Sequence, residues 1–207
     1  MTMPPIAYLI PAFVLGALVF SRLGEAVGTM SPRREAILTA VDRVIPGVYP
    51  DAKFREMAPG YDPDDPKLPK GFTSCGFMPG YAGGKVGINT RYGLGSIREI
   101  GEKTGTWIKP SSGKRPKPGD FFLLGNSAGE ILHTGVFKKT SGTDWETADA
   151  GQEDRKKGEK GRTAYVKRTW NPEMKTLKTG NVERVLLGWL DVDNYPIPGA
   201  KPGQLAA

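Results

Sequence analysis

The chain has 207 residues, 38% of them hydrophobic and 25% charged, a globular composition that excludes a wholly disordered chain. Its single cysteine excludes an intramolecular disulfide, so the fold must stand on packing alone. The net charge of +7 favours polyanions, but the basic residues are scattered through "KPSSGKRPK", "FKK" and "DRKKGEKGR" and no nucleic-acid-binding motif occurs, so no nucleic-acid partner is expected.

Residues 1–21 carry no charged side chain, and 6–20 are almost continuously apolar. Fifteen helical residues reach about 22 Å, short of a bilayer core of roughly 30 Å. Pro4, Pro5 and Pro11 weaken a longer span, and the basic residues of a signal peptide are missing. Three readings stand for residues 1–30: an export or anchor segment, a membrane-inserting helix, or a buried core helix. An exported or envelope-associated protein is the expectation. Anionic lipid or wall polymer is then a partner for the positive charge.

"SPRREAILTAVDRVIPG" predicts an amphipathic helix over 32–45, capped by Ser31 and started by Pro32. Ile37, Ala40, Val41, Val44 and Ile45 form its apolar face, and Pro46 and Gly47 end it. Residues 50–71 are proline-rich and polar, which reads as an exposed loop. Cys75 stands at the start of a short helix that Pro79 and Gly80 should cut or kink. A further helix is expected near 96–103.

Beyond Pro118 the pattern turns to strands: "GDFFLLGN", "EILHTGVFKK", "DWETADAG", "RTAYVKRTW" and "ERVLLGWLDVD", separated by turn residues. Helices followed by antiparallel strands predict an α+β domain, with N-terminal helices packed on a central antiparallel sheet. Residues 31–195 form that domain, and 196–207 read as a loose tail.

Cys75 and the only histidine, His133, are a candidate nucleophile and base. A helix N-terminus or an adjacent imidazolium stabilises a thiolate, and the Cys75 backbone N–H is a candidate oxyanion donor. A third group should orient the imidazole. With the hairpin turn centred on 141–142, Asp149 falls across from His133 on the same face. Gln152 is the alternative third member, and Glu146 should point to the other face. No ligand-spaced cluster suggests a metal, and no cofactor is implied.

Cysteine at a helix start, Lys117-Pro118-Gly119-Asp120-Phe121 leading a strand, and His133-Thr134-Gly135-Val136 in the next resemble the papain-like NlpC and CHAP superfamily of peptidoglycan hydrolases. The resemblance covers about 71–194. It implies a papain-like fold and a cysteine peptidase or amidase that cleaves amide bonds through an acyl-enzyme. Asp149 takes the place of that group's polar third residue, and Tyr61 is the candidate for an assisting tyrosine. A deamidase or acyltransferase on the same residues, and a non-catalytic membrane-associated binding protein, are the competing readings.

Overall fold

The computed structural model describes residues 30–48, 74–91, 93–154 and 159–205. The N-terminal apolar stretch, the whole proline-rich loop 50–71 and Tyr61 lie outside them.

Helix α1 runs Pro32–Val44, with Ser31 Oγ accepting the Arg34 N–H at its start. Ile37, Val41 and Val44 are fully or almost fully buried, so the apolar face expected from their spacing is the face used. A two-residue strand β1 follows (Gly47–Val48). A 3₁₀ turn, Ser74–Gly76, carries Cys75 and leads straight into helix α2, Phe77–Gly84. Pro79 and Gly80 neither cut nor end α2, because Pro79 falls in its first turn, where a proline is tolerated. Helix α3 (Leu94–Thr104) and a second short strand β2 (Trp107–Ile108) precede the main sheet.

The main strands are β3 (Phe121–Gly125), β4 (Ile131–Ser141), β5 (Asp144–Asp154), β6 (Glu159–Asn171), β7 (Thr176–Thr179) and β8 (Val182–Leu190). They pair antiparallel in the order β6-β5-β4-β3-β8, and β7 pairs with both β6 and β8. The six strands therefore close on themselves. This corrects the expected papain-like α+β architecture with a central sheet: the chain folds as a six-stranded antiparallel β-barrel with a few helices. The difference is one element. "TLKT" has too few apolar residues to read as a strand, yet it joins the two ends of the sheet.

Closure gives the domain two cores, one on each face of the strands. Inside the barrel, Phe122, Leu124, Phe137, Trp145, Trp170, Leu177, Leu186 and Trp189 pack together. Trp145 stacks on Trp170 with ring centroids 4.7 Å apart and meets Phe137 edge-on at 5.5 Å. Outside, Phe121, Leu123, Val136, Ala148 and Ala150 pack against the apolar faces of the helices. Burial of this much aromatic area, at about 25 cal/mol per Å², is the main force holding both layers.

Polar ties lock α1 to the barrel's far end. Arg33 is fully buried and donates to the backbone carbonyls of Val192, Asp193 and Tyr195 at 2.6–3.1 Å. Arg34 donates to the carboxylates of Asp120 (2.8 Å), Asp191 (3.2 Å) and Asp193 (2.6 Å). Asp120 also accepts the Lys117 N–H at 2.7 Å, which folds the Pro118-Gly119 turn, and Gly119 takes φ +93° with the Arg34 side chain packed against it. The Pro-Gly-Asp sequence is thus a structural knot. Burial pushes the Asp120 carboxyl up to about 6 although Arg34 pulls it down. A lysine cannot reproduce the guanidinium fork, so Arg34→Lys should lower stability by about 1–2 kcal/mol. The check is a shift of the urea midpoint without a change of slope.

Candidate active site

The barrel places its inward-facing residues by strand alternation. Phe122 pairs with Gly135, and Leu124 with His133, so His133 and Gly135 share the inner face with Phe122 and Leu124. On β5, Asp149 pairs with Gly135 and Thr147 with Phe137. Asp149 is therefore diagonal to His133, two residues from the directly opposite position that the sequence suggested. The diagonal suffices: His133 Nε2–H donates to Asp149 Oδ2 at 2.6 Å. Gly135 makes room for this. A β-carbon there would lie 2.6 Å from the Ala148 carbonyl oxygen and 2.8 Å from the Phe122 ring.

Cys75 reaches the same point from outside the barrel. Its 3₁₀ turn packs against β4 and β5, held by Phe77 and Met78, which are fully buried beneath it. The thiol is half-buried and hydrogen-bonds the His133 ring. With Nε2 engaged by Asp149, Nδ1 is the nitrogen left for sulfur. Cys75, His133 and Asp149 thus stand in line, from an accessible thiol to a fully buried carboxylate. Gln152, the alternative third member, donates to the Ala150 carbonyl at 3.4 Å instead and lines the cleft. Glu146 pairs with Lys139 and Lys167, on the face that alternation gave it.

One participant was not foreseen. Arg168 of β6 points inward and donates through Nη2 to the same Asp149 Oδ2 that His133 uses. Its Nε holds Thr147 Oγ1 and its Nη1 holds Thr179 Oγ1, each at 2.8 Å. The guanidinium lies 5.8 Å from the Phe122 ring centre, so its planar face is packed as well as its edges. Alternation with Trp170, two residues on, was the available signal. A single arginine in a strand reads as solvated until its neighbours are known to face a core.

The charges support one another. Burial alone would raise the Asp149 carboxyl, but Arg168 first and His133 second hold it below the usual carboxylate range. Burial opposes charge on His133, yet the charge and hydrogen bond of Asp149, aided by Cys75, push it up to about 9. The imidazolium is therefore the resident form at neutral pH, beside a thiol at a helix start. Such a site stabilises a thiolate.

The thiol opens into a cleft of about 540 Å³ at the barrel mouth, lined also by Leu132, Gly151, Val166, Thr179 and Arg184. Among the described residues no group of three His, Cys, Asp or Glu side chains is placed to hold a metal ion. No family model, curated protein or solved structure matches the chain, so the site's geometry stands without a relative to read it by.

Proposed function

We propose that the chain is a cysteine hydrolase that cleaves amide bonds, with peptidoglycan, in its stem peptide or its muramoyl link, as the substrate. The observation that carries this reading is His133 held between the Cys75 thiol and the buried Asp149 carboxylate, with the sulfur facing a cleft. The Cys75 thiolate attacks the carbonyl carbon, forming the C–S bond, and the carbonyl electron pair moves onto oxygen. The Cys75 backbone N–H, in the turn that leads into α2, is the donor proposed to receive that oxyanion. Collapse breaks the C–N bond, and the leaving amine takes the proton from His133. Neutral His133 then draws a proton from water as it attacks the thioester, releasing the acid and restoring the ion pair.

The order Cys75, Pro118-Gly119-Asp120, His133-Thr134-Gly135-Val136 resembles that of the NlpC and CHAP hydrolases and supports peptidoglycan among the amides, although their fold is not adopted. A place at the cell envelope goes with that substrate, and the uncharged 1–21 stretch supports it. Among the described residues no helix is long and apolar enough to cross a membrane. Purified sacculi test the reading: the protein should release soluble muropeptides. Intact sacculi, with ammonia lost from glutamine peptides, would replace it with a deamidase.

The pH profile is a second check. kcat/KM should fall on the alkaline side with an apparent pKa near 9, where the His133 imidazolium is lost. In Asp149→Asn the charge that raises His133 is gone, so the limb should move to lower pH. An unmoved limb would show that Asp149 does not govern the imidazole.

A further inference from the structure

Arg184 is the inward-facing cation of the mouth that the catalytic reading leaves unused. It lies on β8, directly across from Leu177 of β7 and two residues before Leu186, and both leucines point into the barrel. Alternation therefore turns Arg184 into the mouth, where it lines the same cleft as Cys75 and His133. It is half-buried, and among the described residues no carboxylate pairs with it. Arg168, the other cleft arginine, is spent on Asp149, Thr147 and Thr179.

The lining adds to this. Among the described residues no acidic side chain lines the cleft; its other members are apolar, such as Leu132 and Val182, or uncharged, such as Thr179 and Gln152. Leu132 and Val182 are 41% and 54% exposed at the rim, a surface for an aliphatic group. Among the described residues, counting His133 and the thiolate as a neutral pair and Arg168 with Asp149 as another, one positive charge remains, on Arg184. A half-desolvated guanidinium beside an apolar rim suits a carboxylate, which it can bind through two parallel N–H···O bonds.

We propose that Arg184 is the specificity-determining residue of this cleft and selects amide substrates that carry a carboxylate close to the scissile bond. The proposal rests on the hydrolase reading for its substrate, but the recruitment of anions to Cys75 can be tested without turnover. Iodoacetate and iodoacetamide both alkylate a thiolate, forming C–S and expelling iodide, and they differ by the carboxylate. The ratio of their rates at Cys75 should fall about tenfold in Arg184→Gln and be kept in Arg184→Lys, which retains the charge. An unchanged ratio in Arg184→Gln, with the variant folded by circular dichroism, overturns the proposal. In turnover, stem peptides bearing a free carboxylate beside the scissile amide should lose about 30-fold in kcat/KM in Arg184→Gln, while their carboxamide counterparts stay unchanged. Equal losses on both overturn it too. If the alkylation ratio responds but neither peptide is cleaved by the unaltered protein, the anion site stands and the hydrolase reading falls.

Discussion

Cys75→Ala should abolish the release of muropeptides from sacculi, by roughly 10⁴-fold or more, and leave the fold intact. Removing a nucleophile eliminates the covalent route, and whatever residual rate survives comes from binding and the oxyanion donor alone. Stability should change little, because the half-buried thiol belongs to neither hydrophobic core. The neighbours that fix its turn, Phe77 and Met78, are untouched by the change. Melting within about 2 °C of the unaltered protein, together with lost release, is the expected pair of results. Full cellular effect from the alanine protein would sink the hydrolase and favour a binding protein.

Arg168→Met should be the most destabilising single change at the site, costing about 3–5 kcal/mol, because it strands the Asp149 carboxylate in the barrel without its strongest partner. For a chain of this size that is a fall in melting temperature of roughly 10 °C. The pH dependence gives the mechanism away. Asp149 is held below its ordinary range, so its contribution to stability is present above the unfolded pKa of 3.8 and lost as pH falls through the lower, folded value. Without Arg168 the carboxyl rises, and the loss of stability on acidification should begin at higher pH. Pairing Arg168→Met with Asp149→Asn should recover part of the loss, since no buried charge is then left alone. A loss below about 1 kcal/mol in Arg168→Met would show that the guanidinium is not what keeps Asp149 charged.

The sequence showed the three aligned residues but hid the reason they align. The hairpin turn falls at Gly142–Thr143, later than assumed, and this alone would set Gln152 opposite His133 and turn Asp149 outward. A bulge between Phe137 and Lys139 takes up one residue and returns Asp149 to the inner face. Local sequence does not announce that bulge, so Asp149 emerged as the right neighbour through a register that was two residues off. The helices were legible because Ser31, Pro32 and the apolar spacing of α1 are local signals. Barrel closure was not, because it depends on four residues, Thr176–Thr179, whose pairing is decided by two distant strands. Arg168 stayed hidden for the same reason: its inward aim matters only once the sheet has an inside.

Closure by β7 also bears on how the protein behaves in a crowded solution. A free strand edge offers unpaired amides and carbonyls to any other extended chain, and long flat edges seed aggregates. Here β3, β4 and β5 have neighbours on both sides, and the outer flanks of β6 and β8 are shared between β7 and the two-residue strands β1 and β2. Each of those terminal strands offers two residues to a would-be partner, too few to template a second sheet. Among the described strands, a sheet with three tryptophans on its inner face thereby offers little free edge for pairing with another copy.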